Sequence, residues 1–262
     1  MNNQKIIAIS NQKGGVGKTT TAINLATALA ACDQKVLIID LDPQGNASTG
    51  LGIDYSDRSK SIYEVLSSSI TIENATHSTS IKNLFIVPST VELSGIEPEL
   101  LDETNRAYVL KNLLTDDFKN QYDFIFIDCP PALSLLTVMA MTSADSVLVP
   151  LQCEFFALEG LSQLIKTIDR VRKNLNSSLR IDGIVLTMYD QRNRLSSQVA
   201  QDVRNHLKEK VFETVIPRNV RMSEAPSFGL PALIYDHRSK GSQAYIQLAN
   251  EILKKTNNLE AA

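Results

Sequence analysis

The chain has 262 residues, of which 43% are hydrophobic and 21% charged, and its formal net charge is −3. These values are typical of a soluble globular protein and argue against a disordered or fibrous chain. No uncharged apolar run reaches the roughly 18 residues of a membrane-spanning helix, and the first ten residues lack the pattern of a secretory signal. Three widely spaced cysteines, Cys32, Cys129 and Cys153, indicate a reducing cytoplasm rather than a disulfide framework.

Short apolar runs alternate with helical patterns along the chain. Strands are predicted at residues 6–9, 36–39, 84–87, 124–127, 147–149, 184–186 and 211–216. Helices are predicted at residues 18–31, 92–117, 133–142, 157–174, 195–208 and 240–255. Pro88 and Pro150 are expected to stop the third and fifth strands. Strands that are apolar throughout are buried on both faces, so the pattern predicts a single α/β domain over residues 1–262. We expect a mostly parallel twisted sheet with helices on both faces and a core at about 5–253.

A glycine-rich loop joins the first predicted strand to the first predicted helix. Its glycines allow a tight turn that points backbone N–H groups inward, and the helix N-terminus adds partial positive charge. Lys18 is placed to reach the β- and γ-phosphates of a nucleotide, and the Thr19 hydroxyl is placed to bind Mg²⁺. The residues predicted to bind ATP are Lys13, Gly14, Gly15, Val16, Gly17, Lys18, Thr19 and Thr20.

A dinucleotide-binding loop is the alternative interpretation of the same glycines. Gly15 and Gly17 could begin the Gly-x-Gly-x-x-Gly pattern, with Asp40 as the ribose ligand about 20 residues later. However, Thr20 occupies the third glycine position, and hydride transfer has no use for the Lys18-Thr19 pair. The sequence therefore favours a phosphate loop.

Three aspartates follow predicted strands and are expected near the phosphates. Asp40 and Asp42 lie on one side of an extended backbone, where one can hold a Mg²⁺-bound water and the other can orient the attacking water. Asp128 ends an apolar strand, as the Walker B aspartate of a P-loop protein does, and is expected to reach Mg²⁺ through water. The alternative for each is a purely structural role at a turn or a helix start. Cys129 is interpreted as a packing residue.

The loop departs from the ordinary Walker A pattern, because Gln12 occupies the first glycine position and Lys13 precedes the glycines. In this respect it resembles the deviant Walker A ATPases, whose mark is Lys-Gly-Gly-x-Gly-Lys-Thr. The resemblance implies that Lys13 reaches across a dimer to the partner's nucleotide and offsets charge in the transition state. It also implies that Asp42 is needed for hydrolysis and that Asp40 supports it, which places Lys13, Lys18, Asp40 and Asp42 in the catalytic group.

Three longer stretches, residues 40–46, 150–160 and 216–227, resemble the ParA/Soj chromosome-partitioning ATPases, and the resemblance runs from Lys5 to about Leu253. It implies an ATP-dependent homodimer that binds double-stranded DNA without sequence preference. A ParB/Spo0J-like centromere-binding protein would stimulate slow ATP hydrolysis and release the dimer. The location implied is cytoplasmic and nucleoid-associated, and the replicon is either a chromosome or a plasmid.

Charge is distributed unevenly along the chain. Residues 92–128 carry nine acidic and three basic side chains, whereas residues 166–221 carry twelve basic and six acidic ones. A basic face can bind a polyanion even when the whole protein is acidic. The candidates for DNA contact are Arg192, Arg194, Arg218 and Arg221, of which the resemblance favours Arg192 and Arg221. It also places the adenine against Pro217 and Asn219, with Met188 beside them.

Three other members of the wider class are alternative interpretations of the sequence. A MinD-like, membrane-associated positioning ATPase would end in a basic amphipathic helix, whereas the tail over residues 252–262 has two lysines and no second apolar stripe. An iron protein resembling that of nitrogenase would need two cluster-bridging cysteines, and Cys129 occupies the Walker B loop. A partition protein that represses its own operon would carry a helix-turn-helix, which is not expected in the few residues before the first strand.

Overall fold

The computed structural model describes the backbone of residues 4–260 and the side chains of residues 4–256, so the end of the tail considered above lies outside the described side chains. The strands are β1 Lys5–Ile9, β2 Val36–Asp40, β3 His77–Ser78, β4 Leu84–Val87, β5 Phe124–Asp128, β6 Ser146–Gln152, β7 Arg180–Tyr189 and β8 Val211–Pro217. The α-helices are α1 Lys18–Ala31, α2 Asn46–Gly50, α3 Ile62–Leu66, α4 Ile72–Ala75, α5 Ile96–Glu99, α6 Val109–Leu113, α7 Asp116–Lys119, α8 Leu135–Ser143, α9 Ala157–Asn174, α10 Arg194–Leu207, α11 Val220–Glu224, α12 Ala232–Tyr235 and α13 Lys240–Glu260. Short 3₁₀ helices occupy Tyr55–Asp57, Val91–Gly95, Arg106–Tyr108, Lys208–Lys210 and Ala225–Phe228.

The strands form one sheet in the order β3-β4-β2-β5-β1-β6-β7-β8. Every neighbouring pair is parallel except β3 with β4, which is a two-residue antiparallel pairing at the edge. The predicted α/β fold with a mostly parallel sheet is therefore confirmed. β1 lies in the interior between β5 and β6, so the loop that follows β1 opens at the middle of the carboxyl edge.

Both faces of the sheet carry an apolar core, because alternate side chains of each strand point to opposite faces. On one face, Ile7 and Ile9 of β1 belong to the same cluster as residues of α1 and α13. On the other face, Ile6 and Ala8 belong to the cluster that includes residues of α8 and α9. The helices thus cover both faces, as predicted, and none in the described part of the chain is long and apolar enough to cross a membrane.

The prediction of one helix over residues 92–117 is wrong. The segment is divided among two 3₁₀ helices and three short α-helices of four or five residues. Pro98 has no N–H to continue a helical hydrogen-bond ladder. Thr115 begins a new helix instead, because its hydroxyl accepts a hydrogen bond from the Phe118 N–H at 3.3 Å. Each piece still buries apolar side chains against the core, as Leu93, Leu110 and Phe118 do.

The expectation that Pro150 stops the fifth strand is also wrong, because β6 continues to Gln152. β6 is paired with β1 only as far as Leu148, and beyond that point it is paired with β7 alone. Pro150 therefore lies past the end of β1, where its missing N–H breaks no ladder hydrogen bond. Its carbonyl accepts a hydrogen bond from the Asn11 side chain at 2.7 Å. Pro88, in contrast, does follow the last residue of β4.

Candidate nucleotide-binding site

The central strands place the predicted phosphate loop and the carboxylates of Asp40 and Asp128 at the same edge of the sheet. In the strand register, Asp128 lies opposite Ile9 of β1 on one side and opposite Asp40 of β2 on the other. The backbone of the following residues stays in register, since Leu41 N donates to Asp128 O at 3.0 Å. The loop after β1 and the aspartates that end β2 and β5 therefore share one edge of the sheet.

The loop at residues 13–17 has the backbone of an anion-binding turn. Gly15 and Gly17 have φ angles of 72° and 88°, in the left-handed region that side chains other than glycine seldom adopt. Gly17 caps the start of α1, whose first turn has no acidic residue to satisfy its free N–H groups. A helix start of this kind favours a phosphate. Behind the loop, the Thr187 hydroxyl donates to Val16 O at 2.8 Å and fixes the loop to β7.

Lys18 is nearly buried at the base of this loop, with 6% of its surface exposed. Its ammonium group donates to Lys13 O at 3.1 Å. Burial lowers the pKa of Lys18, and the nearby Asp128, Cys129 and Asp42 act in the opposite direction. A buried ammonium group next to a phosphate loop gains an ion pair when a phosphate arrives, which is the role that the sequence predicts for Lys18.

Asp128 is a carboxyl group of the site whose charged form is disfavoured by burial. It is fully buried, and neither carboxylate oxygen has a hydrogen-bond partner among the described residues. Burial raises the pKa of Asp128 well above its usual range and Asp40 and Asp42 add to the rise, whereas Thr19 and Lys18 oppose it. Buried carboxylate oxygens without a hydrogen-bond partner are rare, and a cation-binding role is one explanation for them.

The donors around Asp128 fit Mg²⁺. Carboxylate and hydroxyl oxygens are the ligands that this ion prefers, and in phosphate sites it takes few protein ligands and several waters. Within the described residues, no group of three or more His, Cys, Asp or Glu side chains is placed to hold a metal alone. The arrangement suits an ion shared between Thr19, Asp128 and a bound phosphate, with Asp42 nearby.

Asp40 supports the loop that carries Asp42. It is fully buried, and its carboxylate accepts hydrogen bonds from Ser48 N at 2.9 Å, Ser48 Oγ at 2.7 Å and Asp42 N at 3.3 Å. Burial raises the pKa of Asp40, and these hydrogen bonds oppose the rise. Sequence reasoning missed Ser48, which also accepts a hydrogen bond from Ser89 N at 3.0 Å and so ties the loop to the end of β4.

Lys13 forms an ion pair with Glu154, in the loop after β6. Both side chains are nearly half exposed, so the pair is weak and can exchange. The Lys13 backbone is held separately, by a 3.0 Å hydrogen bond from its N–H to the Asn11 side chain. Glu154 was not predicted as a site residue, although it lies within the stretch of residues 150–160 that carries the resemblance.

The three residues predicted around adenine line one cleft of about 270 Å³. Met188 lies near the end of β7 and has a φ of 51°, in the left-handed region. Pro217 is the last residue of β8, and Asn219 caps α11 through a 2.8 Å hydrogen bond from Arg221 N. Because Gly17 and Thr20 line the same cleft, it adjoins the phosphate loop, as a nucleotide requires.

Arg192 and Arg218 lie in the two neighbouring loops that follow β7 and β8, and Arg194 and Arg221 lie in the first turns of α10 and α11, directly after those loops. All four are exposed. The loops are joined by a 3.1 Å hydrogen bond from Arg218 N to Tyr189 O. Arg192 is paired with Asp190 at 3.0 Å, and Arg221 is paired with Glu224 at 2.8 Å and with Asp236 at 3.4 Å. The two favoured arginines therefore already have carboxylate partners within the chain.

The cysteines differ in accessibility, which gives a simple test of the packing role assigned to Cys129. Cys32 is exposed, whereas Cys129 and Cys153 are buried. Burial raises the pKa of Cys129 strongly and that of Cys153 to about 11, so both are protonated and shielded near neutral pH. We expect an aromatic disulfide reagent at pH 8 to modify one thiol rapidly in the native protein and three in denaturant. Rapid loss of two or more thiols without denaturant would contradict the buried positions.

Comparison with known proteins agrees with this geometry. The family profile described as AAA domain matches residues 4–181. The chain is 56% identical over 258 residues to the chromosome partitioning protein ParA of Caulobacter vibrioides, covering 98% of this chain and 97% of that protein. It is 50% identical over 248 residues to the sporulation initiation inhibitor protein Soj of Bacillus subtilis, covering 95% and 98%. A solved structure of cobyrinic acid a,c-diamide synthase from Mycobacterium smegmatis, with a bound ATP analog and magnesium, matches with a TM-score of 0.85 and 34% identity over 97% of this chain and 96% of that one.

The site defines a P-loop nucleotide-binding protein, because a phosphate loop joins a strand to a helix and lies opposite two strand-end aspartates. The similar solved structure, which holds an ATP analog, agrees with this class. The near-complete coverage of the sequence relatives narrows this class further. The chain belongs to the ParA/Soj family of chromosome-partitioning ATPases.

Proposed function

We propose that this chain is a Mg²⁺-dependent ATPase that partitions a replicon, acting as an ATP-bound homodimer that binds DNA without sequence preference. Hydrolysis, slow in the free protein and stimulated by a ParB/Spo0J-like partner, releases the dimer from DNA in the cytoplasm. The observation that supports this most strongly is the common edge at which the phosphate loop meets Asp40 and Asp128. Residues 1–262 are proposed to act as a single domain.

In the proposed reaction, the N–H groups of residues 14–19 and the Lys18 ammonium bind the phosphates of ATP. Thr19, and Asp128 through water, would hold Mg²⁺, which would supply positive charge against the phosphate oxygens. Asp42 orients the attacking water, and Asp40 with Ser48 keeps the Asp42 loop in place. The three histidines, His77, His206 and His237, lie in β3, in α10 and between α12 and α13 rather than in the phosphate loop or at the strand ends that carry the aspartates, so we expect a slow unstimulated rate.

Lys13 is proposed to act on the partner subunit's nucleotide. It is exposed enough to leave Glu154 at little cost, because an ion pair of this kind contributes only about 0–1 kcal/mol. A cation supplied across the interface makes ATP part of that interface and couples dimerisation to the nucleotide.

Substitution of the favoured arginines tests the DNA face. We expect Arg221→Ala to keep the ATP-dependent dimer, lower DNA affinity on the order of tenfold and reduce the salt dependence by about two counterions per dimer. Arg172→Ala is a matched control. Arg172 has nearly the same exposure as Arg221 and also forms a salt bridge with an acid three residues away, but it lies in the last turn of α9. An unchanged affinity and salt slope for Arg221→Ala would remove Arg221 from the DNA face.

A MinD-like membrane role is the second candidate from the sequence. In the described part of α13, Ile252 is buried and Lys255 donates to Asp182 O, so this part of the helix packs on the protein. Co-sedimentation with anionic liposomes in the presence of ATP, without binding to DNA, would favour that role over the proposed one.

A further inference from the structure

A second groove, of about 670 Å³, lies between residues 96–107 and the start of α8, apart from the residues of the nucleotide site. Its walls include two leucines that face solvent: Leu101 is 65% exposed and Leu133 is 48% exposed. Pro98 and Val138 extend the apolar surface between them. Large apolar side chains that line an open groove often mark a binding surface.

The rim of this groove is acidic. Residues 96–107 contain four acidic side chains and a single basic one, Arg106. Glu99, Asp102 and Glu103 are exposed, and Glu97 forms part of the wall. The apolar floor and the negative rim together complement a segment that carries both leucine-like and basic side chains. The same charge repels DNA and anionic lipid, which argues against either as the occupant.

Glu97 connects the groove to α8. Its carboxylate accepts a hydrogen bond from Leu135 N at 3.0 Å, in the first turn of the helix. Ser134, the residue before the helix, provides no side-chain cap of its own. Glu97 therefore acts as the capping carboxylate from a different segment and stabilises this end of α8 by its charge.

The end of α8 is in turn connected to the nucleotide site. The six residues between Asp128 and Leu135 form the loop that joins β5 to α8. Pro131 of this loop lies against the phosphate loop, since a Cβ placed on Gly14 would be 3.9 Å from Pro131 Cβ. A change in the hydrogen bond between Glu97 and Leu135 N can therefore shift this loop, which begins next to Asp128 and lies against Gly14.

We infer that the groove binds a cationic, apolar segment of the protein that stimulates hydrolysis, and that this segment draws Glu97 away from α8. The inference rests on the proposed function, because it assigns a binding surface to the stimulating partner. The apolar side chains of the segment cover Leu101 and Leu133, and its cation competes with Leu135 N for the Glu97 carboxylate. The loop over residues 129–134 is then free to adjust against the phosphate loop.

The test compares ATP turnover with and without the purified ParB/Spo0J-like protein from the same organism. The double variant Leu101→Ser/Asp102→Lys is expected to keep the unstimulated rate and ATP-dependent DNA binding but to lose at least about tenfold in partner affinity. Asp117→Lys, at an exposed acid of α7 outside the groove, is the charge-matched control and is expected to be stimulated like the wild type. Glu97→Ala is expected to raise the unstimulated rate at least threefold, since it removes the cap that the partner would displace.

The outcomes separate this inference from the proposed function. If the wild type is not stimulated, the proposed function fails and the groove loses its partner with it. If the wild type and the double variant are stimulated equally at every partner concentration, the groove is not the binding surface. If the double variant loses its ATP-dependent dimer, the occupant is a second copy of the chain. If Glu97→Ala leaves the unstimulated rate unchanged, the coupling through α8 is wrong.

Discussion

Lys18→Ala is expected to weaken ATP binding by roughly 30-fold or more. Lys18 is a nearly buried cation whose pKa is lowered by burial, and the phosphates of ATP are the anions that compensate it. Removal of one member of a buried charge pair typically costs about 2–5 kcal/mol, which corresponds to an affinity lower by roughly 30-fold to several thousandfold. Isothermal titration with ATP and Mg²⁺ measures this directly.

The control for that experiment is Lys60→Ala, at an exposed lysine outside the candidate site. Its affinity for ATP should equal that of the wild type. The thermal unfolding of nucleotide-free Lys18→Ala should remain cooperative, because the hydrogen bond that the substitution removes is to a single backbone carbonyl, that of Lys13. An affinity for ATP within threefold of the wild type would exclude Lys18 from phosphate binding.

Asp42→Asn is expected to slow ATP turnover by about 100-fold or more while it preserves ATP binding. Asp42 has only 8% of its surface exposed, and it lies close enough to Lys18 and Asp128 to raise the pKa of both, so its side chain is close to the expected phosphates. Loss of a positioned acid or base typically lowers a rate by about 10²–10⁴-fold. The ATP-bound dimer should then persist, since hydrolysis is the step proposed to end it.

The asparagine substitution is chosen because its side-chain oxygen can still accept the 3.0 Å hydrogen bond from Gln44 N that shapes the loop. Asp57→Asn, at an exposed acid in the 3₁₀ helix that follows α2, is the control and should turn over at the wild-type rate. Single-turnover hydrolysis and size-exclusion chromatography with ATP report the two effects. Wild-type turnover by Asp42→Asn would assign the water-positioning role elsewhere.

The parts of the fold that follow from apolar periodicity could be predicted from the sequence. α9 and the strand β4 have the predicted bounds, because long amphipathic or short continuous apolar runs carry a clear signal. The segment over residues 92–117 could not be predicted, since its buried residues are spaced almost as in one helix although Pro98 and the Thr115 cap divide it. Helices of four or five residues, such as α2 and α11, are shorter than the window in which periodicity is detectable.

The candidate site shows the same division. The phosphate loop and the three aspartates could be located because strand ends and glycines mark them locally. Ser48 and Glu154 could not, because each acts through a residue distant in sequence: Ser48 through Ser89 N and Glu154 through Lys13. Such contacts depend on the order of the strands, which a single sequence does not specify.

The proposed function requires that ATP switch this protein onto DNA. The most direct measurement is binding to a random-sequence duplex with ATP, with ADP and without nucleotide, each across a series of salt concentrations. We expect firm binding with ATP alone. The logarithm of the affinity should then fall linearly with the logarithm of the salt concentration, with a slope that reflects contacts from two basic faces. Equal binding in all three nucleotide states, or none in any of them, would contradict the switch.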